Sequence, residues 1–319
     1  MMPGVMTPVP APNQRRLVVF GEFFLDLVFY DLPRPPRMGE EVKTESFARF
    51  PGGGLATTAL VAAGLGTPTS VVTRIGRDAP ANPAWQRLAQ SGISVEGCEI
   101  DPNLPTAMTV CVAYAADRMM VTHDPINRKL EGLLNRGAVR RQIRKAKHLH
   151  MACALWPPRT WLPLIRGIRQ QGVKTSADIG WNPEVLEASR LPELLKQFDF
   201  VFPNESEARA MTGEKSVEKA VRKLAQWVPW PVIKLGEDGC VAIHEGRLLR
   251  KKSIRVRAVD ATGAGDAFNG GFLHGYLAGW TLEDCLRAGN ICGALATTRA
   301  GGSSAIPTAN RLRELMKRL

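Results

Sequence analysis

From Val139 to Ile243 the sequence keeps changing its period. Short candidate strands at His148–Ala152, Lys174–Ala177, Phe200–Phe202, Val232–Lys234 and Val241–Ile243 alternate with candidate helices. Strands that alternate with helices are joined as crossovers, which sets the strands parallel and covers both faces of the sheet. Leu17–Phe20 is apolar throughout, as a strand buried on both faces must be. The sequence therefore predicts an α/β fold: a doubly wound, mostly parallel sheet with helices on both faces. The 319 residues suffice for one large domain, and no repeat or low-complexity linker divides them. We read residues 1–14 as a flexible, Pro-rich tail and 15–319 as a single domain.

Within that frame, Val259–Phe272 carries the strongest chemical signal. Ile254, Val256 and Val259 read as a short strand. Gly263, Ala264 and Gly265 form a tight turn before Asp266, and Phe268, Phe272, Leu273, Tyr276 and Leu277 then repeat at helical spacing. A glycine-rich turn at a helix N-terminus exposes backbone N–H groups, and the helix dipole adds to their pull on an anion. Asp266 could be an ordinary cap of this helix. An acid beside an anion cradle also suits a group that takes the proton of a nucleophile attacking bound phosphate. Neither G-x-x-x-x-G-K-[ST] nor a G-x-G-x-x-G after a strand occurs elsewhere in the chain.

Composition narrows the classes. The net charge of +12 suits anionic ligands. The densest basic run, Arg136–Lys147, lacks the interleaved aromatics of a single-strand-binding surface, so we read it as a solvated helix face and expect no nucleic-acid partner. The uncharged stretch Pro51–Thr73 is broken by Gly64, Gly66 and Pro68, so no membrane span is expected. Residues 1–14 lack the pattern of a signal peptide. The six cysteines (98, 111, 153, 240, 285, 292) show neither C-x-x-C nor metal-ligand spacing, which reads as reduced thiols in a cytoplasmic protein. A structural role is expected for His148 and His150.

The run Asp260-Ala261-Thr262-Gly263-Ala264-Gly265-Asp266-Ala267-Phe268 resembles the C-terminal signature of the ribokinase-like (PfkB) family of carbohydrate and nucleoside kinases, with Ala261 where Thr is usual. The resemblance extends over roughly residues 17 to 307. It implies that Asp266 is the catalytic base and that the Gly263–Ala264–Gly265 backbone is the anion hole for the transferring phosphoryl group. Asp26, five residues after Gly21, falls where the family binds substrate hydroxyls. By itself it could equally be a turn or edge residue. Gly52 and Gly53 match the Pro-Gly-Gly sugar turn, with Thr57 where the family has Asn and Gly54 where members acting on sugar phosphates carry Lys. Strands from about 22–50 and 106–123 would form a discontinuous β lid, through which two copies could pair as a homodimer. In the first of these stretches Met38–Val42 reads as loop and edge strand; in the second, Thr106–Ala115 and Met119–Thr122 read as a hairpin turning at 116–118.

Asn204 and Glu207 follow a strand end and open a helix. Their spacing is that of a capping box, and the resemblance adds that they order Mg²⁺ and its waters around ATP. Lys234, Gly236 and Gly239 match the nucleotide-side loop, with Lys234 in place of Thr, and Asn290 falls where the family places an Asn near adenine. Asp260 and Thr262 would contribute to a K⁺ site with the loop Arg299–Gly302. Asp178–Asn182 resembles the family's Asp-x-Asn segment only loosely. The reading that follows is ATP-dependent phosphorylation of a free sugar at a primary hydroxyl. A nucleoside kinase of the adenosine type and a silent sugar- or nucleotide-binding regulator are the alternatives.

Overall fold

The computed structural model describes residues 16–114 and 117–318. The N-terminal tail and Ala116, where the hairpin turn was expected, lie outside the described residues.

In chain order, β1 (Arg16–Gly21) enters the sheet, β2 (Phe24–Tyr30) and β3 (Ser46–Gly52) leave it, and α1 (Gly53–Gly64) leads back to β4 (Thr69–Val72). β5 (Arg74–Gly76), α2 (Pro83–Gln90), β6 (Glu99–Asp101), β7 (Met108–Tyr114) and β8 (Asp117–His123) follow. Then the predicted alternation begins: α3 (Gly137–Arg144), β9 (Ala146–Ala152), α4 (Pro158–Arg169), β10 (Lys174–Asp178), α5 (Pro183–Leu186), α6 (Leu191–Leu195) and β11 (Phe200–Val201). It continues through α7 (Glu205–Thr212), α8 (Val217–Leu224), β12 (Trp230–Lys234), β13 (Cys240–His244) and β14 (Arg247–Lys251). α9 (Ala264–Ala278), α10 (Leu282–Ala296) and α11 (Ala309–Met316) complete the described chain.

The main sheet has the order β14-β13-β12-β11-β10-β9-β1-β4 and is parallel from β12 to β4; β13 and β14 pair antiparallel at one edge. β1 shows why its whole apolar run is needed. Val18 and Phe20 face the helices that cover one side, Leu17 and Val19 face those on the other, and all four are fully buried. Burying each such large side chain contributes about 1.5–3 kcal/mol. The chain leaves β1 toward β4 on one side, while β9 lies on the other. Such a reversal opens a crevice at the carboxyl ends of the strands, where ligands of these sheets bind.

β3, β2, β7 and β8 form a separate four-stranded sheet in that order, with Phe29 opposite Phe47 and Cys111 opposite Met120. These are the strands expected for the lid. Two expectations fail locally. Met38–Val42 forms no strand: this largely exposed stretch joins no sheet, and Ser46–Gly52 takes the place beside β2. The stretch through Ile254, Val256 and Val259 is irregular as well. β14 already occupies the sheet edge, and Val259 and Asp260 instead donate their N–H groups to the Thr297 carbonyl at the end of α10.

α9 is packed tightly from two sides. A side chain at Gly270 would meet the Thr58 carbonyl of α1 at 2.8 Å, and one at Gly271 would meet Cys292 Sγ of α10 at 2.6 Å. Glycine is required here for helix approach, and the result is that the N-terminus of α9 is held rigidly in the crevice.

Candidate active site

Gly263 sits at φ +70°, the left-handed conformation that favours glycine, and turns the chain into α9. A first helical turn cannot satisfy its own N–H groups. Those of Gly263, Gly265 and Asp266 have no acceptor among the described residues, which fits an anion cradle, whereas that of Ala264, expected in the anion hole, donates instead to the Ala261 carbonyl at 3.3 Å. Asp266, in that first turn, is only half-buried as a residue, yet its carboxyl is enclosed. Burial, and after it the charge of Asp178, pushes the carboxyl up to about 7; Lys234 opposes the shift, and Glu207 and Asp26 add to it. A carboxyl titrating near neutrality can accept a proton at working pH.

The acid is fixed by a residue not singled out from sequence. Thr58 of α1 donates its hydroxyl to the Asp266 carbonyl at 3.1 Å, so α1 anchors the first turn of α9. Its neighbour Thr57 is buried in the same helix. Gly54 abuts the Asp266 carboxyl: a Cβ there would stand 3.0 Å from Asp266 Oδ1 and 3.2 Å from Ala152 Cβ. Gly52 lies against Asp26, where a Cβ would come within 2.2 Å of the carboxyl carbon. Gly53 has φ +83° and approaches the Glu22 carbonyl, with 2.4 Å left for a Cβ. Asp26 is drawn up to about 7, first by burial and then by Asp260. The residues predicted from Asp26, the glycine turn and the signature thus converge at one point.

The floor of the crevice is ionic. Lys234, the last residue of β12, places its ammonium 2.5 Å from Oδ2 of Asp178, the last residue of β10. Asn269, one turn beyond Asp266, donates its Nδ2 to the same oxygen at 2.6 Å. Although Asp178 is buried, the Lys234 charge and these two hydrogen bonds hold its carboxyl below the ordinary range. Lys234 was expected in a nucleotide-side loop; it ends β12, and its ammonium reaches Asp178 on the floor of the crevice. Asn269 was missed. Oppositely charged residues at the carboxyl ends of two predicted strands were the available signal.

Asn204 and Glu207 form the capping box at the start of α7: Glu207 N–H donates to Asn204 Oδ1 at 2.9 Å, and Asn204 N–H to Glu207 Oε2 at 2.8 Å. Burial, then the Asp178 charge, raises the Glu207 carboxyl. Beyond Lys234, Gly236 and Gly239 bracket a short turn, and a Cβ at Gly239 would strike the Lys251 carbonyl at 2.0 Å. Asn290 is buried and commits its amide to the carbonyls of Lys251 and Lys252 at 3.0 and 3.2 Å. It braces the end of β14, at the position expected to lie near adenine. Asp260 ties two loops together, accepting from Thr262 N and Oγ1 at 2.8 and 2.6 Å and from Gly301 N at 2.8 Å. His148 and His150 are core residues that share the Ser176 hydroxyl at 2.7 and 2.8 Å.

An anion cradle, a neighbouring carboxyl near neutrality and a glycine turn packed against it at the carboxyl edge of a doubly wound sheet suit phosphoryl transfer. The chain belongs to the pfkB family of carbohydrate kinases, whose model matches residues 14–309. It is similar to a cytidine kinase from Thermococcus kodakarensis, 30% identical over 279 residues that cover 86% of this chain and 92% of the relative. It is also similar to a ribokinase from Haemophilus influenzae, 27% identical over 311 residues, covering 95% and 99% of the two chains. In three dimensions it matches the ribokinase of Thermotoga maritima with a TM-score of 0.80 at 25% identity, over 95% of this chain and 100% of the other. An Escherichia coli ribokinase II homologue solved with ATP and Mg²⁺ shares the fold, with a TM-score of 0.81 at 20% identity, over 96% and 100%. The protein is a sugar or nucleoside kinase of the ribokinase fold. Among the described residues no helix is long and apolar enough to cross a membrane.

Proposed function

We propose that the protein transfers the γ-phosphoryl group of ATP to a primary hydroxyl of a free sugar. The observation that carries this reading is the enclosed Asp266 carboxyl at the rim of a cradle with three open N–H groups, facing Gly54 of the acceptor turn. Asp266 accepts the hydroxyl proton as the acceptor oxygen bonds to phosphorus, the bond from phosphorus to the bridging oxygen breaks, and ADP leaves. The Gly263, Gly265 and Asp266 amides stabilise the charge on the phosphoryl oxygens. Asp26 and the Gly52–Gly53 backbone orient the acceptor through its hydroxyls. The turn from Lys234 to Gly239 lies on the nucleotide side, and Asn290 frames it.

The residues also fit Mg²⁺. Glu207, Asp178 and Asp266 influence one another's charge with Lys234 as the cation among them, so the site has room for further positive charge. Asn204 and Glu207, at the start of α7, would hold Mg²⁺ through its waters. Bound with ATP, Mg²⁺ supplies charge neutralisation on the phosphates. For K⁺, the Asp260 carboxyl is taken by Thr262 and Gly301, so this chain would offer backbone carbonyls; a Cβ at Gly302 would lie 2.8 Å from the Thr262 carbonyl, which shows how closely the two loops approach.

A neutral acceptor follows from Gly54, which offers no charge to a second phosphate, and from Asp26, which repels one. The 30% identity to a cytidine kinase favours a nucleoside as the second reading. The exposed Met119, Met120 and Val121 of the edge strand β8 suit pairing of the small sheet with that of a second copy. We place the enzyme in the cytoplasm, on the reading of its six cysteines as reduced thiols. The test is ATP consumption over free pentoses, hexoses, nucleosides and sugar phosphates such as fructose 6-phosphate. Turnover of a free sugar supports the reading, turnover of nucleosides alone selects the second, and turnover of phosphorylated sugars alone overturns both.

A further inference from the structure

Lys234 is more than a turn residue. Its side chain is 11% exposed, and that of Asp178 is 9% exposed. A Cβ at Gly265 would lie 3.0 Å from the Lys234 ammonium, so the cation is seated against the backbone of the cradle itself. Of its three N–H donors, one is accounted for among the described residues, by Asp178. The other carboxylates that act on it are Glu207, at the start of α7, and Asp266, at the start of α9. Asp178 is fixed in turn by Asn269, on the helix that carries Asp266. A buried ammonium with unused donors, fixed from behind and pressed against an anion cradle, is preorganised for a negatively charged ligand.

We propose that Lys234 is a catalytic residue that contacts the phosphoryl group during transfer, with Asp178 and Asn269 as positioning residues that hold its ammonium against Gly265. The inference rests on the phosphotransferase reading and deepens it. Lys234 keeps its protons throughout: the acceptor proton goes to Asp266, and the ammonium stabilises charge on the phosphoryl oxygens as one O–P bond forms and the other breaks. The competing role is structural, in which Lys234 serves only to neutralise buried Asp178.

The two roles separate in Lys234→Met and in the double variant Asp178→Asn/Lys234→Met, which removes both charges and leaves no buried carboxylate unpaired. Two readouts are needed: kcat and KM with an acceptor, and calorimetric affinity for a non-hydrolysable ATP analogue relative to ADP, which requires no acceptor. Losing one donor to the transferring group costs about 10²–10³-fold in kcat. Lys234→Met should lose at least about 100-fold in kcat and about tenfold in its preference for the analogue, with ADP affinity changed less than about threefold. The double variant should be no better than the single one. Recovery of wild-type kcat and analogue preference in the double variant would show a purely structural pair and overturn the proposal. A wild type that phosphorylates nothing in the acceptor panel refutes the acceptor reading alone; the analogue-to-ADP comparison then decides the role of Lys234.

Discussion

Replacing Gly52 by alanine probes the proposed acceptor side without touching Asp266. Gly52 has φ −110° and ψ 177°, extended backbone that alanine adopts freely, so no strain arises in the chain itself. The whole effect falls on Asp26. The new Cβ would stand 2.2 Å from Cγ and Oδ1 and 2.3 Å from Oδ2. Ordinary contact begins at 3.4 Å, so the carboxyl must retreat by about 1.2 Å. Overpacking of this kind costs about 1–3 kcal/mol of stability. Entropies of unfolding near 2 cal/mol/K per residue make that about 2–5 °C in Tm for a chain of this length. The functional effect is larger, because a misplacement near 1 Å in an orienting group costs about 100-fold, or about 2.7 kcal/mol of transition-state binding. Steady-state kinetics at saturating ATP should show kcat/KM for the acceptor reduced by about that factor, with KM for ATP little changed. Asp26→Ala should raise the acceptor KM strongly, and adding Gly52→Ala to it should change little further, because the two substitutions act on one contact. A folded Gly52→Ala enzyme with wild-type acceptor kinetics would remove Asp26 from the acceptor site.

Three further outcomes are expected. K⁺ should raise activity over Na⁺ at equal ionic strength, and Asp260→Ala, which unties Thr262 from Gly301, should abolish the difference; equal rates in the two salts would remove the site. His150 is held neutral by burial, its pKa lowered to about 4 from 6.5. Stability is therefore unaffected above the unfolded pKa and falls as the pH drops from about 6.5 toward 4, by up to about 3 kcal/mol, which His150→Asn should reduce; an identical pH slope of Tm in the variant would refute this. Gly54→Ala, whose Cβ would press on Asp266 Oδ1 at 3.0 Å, should lower kcat more than it changes KM for ATP; a wild-type kcat would place the acid elsewhere.

The sheet was legible where burial on both faces demands continuous apolar runs, as in β1, β12 and β13; β9 and β10 instead bury polar residues, His148, His150, Thr175 and Ser176, and were placed by the helix–strand rhythm around them. The cradle was legible because its small residues and helical restart are contiguous. What escaped depends on contacts between distant segments. Nothing local distinguishes Thr58 from Thr57, yet only Thr58 is seen bonding to Asp266. The ion pair of Asp178 and Lys234 joins residues 56 positions apart, across an intervening strand. Val259 has strand propensity, but the edge it would need is already filled by β14. Asn290 matched a position, whereas its hydrogen bonds are set by where β14 ends.

The most direct test of the account is the turnover of Asp266→Asn. Asparagine preserves shape and removes the proton acceptor. In the wild type, kcat/KM should rise with pH through about 7, as the Asp266 carboxyl loses its proton. The variant should lose about 100-fold or more in kcat together with that pH dependence, while ADP affinity measured by calorimetry stays within a few-fold of wild type. Turnover near the wild-type rate in Asp266→Asn would contradict the assignment of Asp266 as the base.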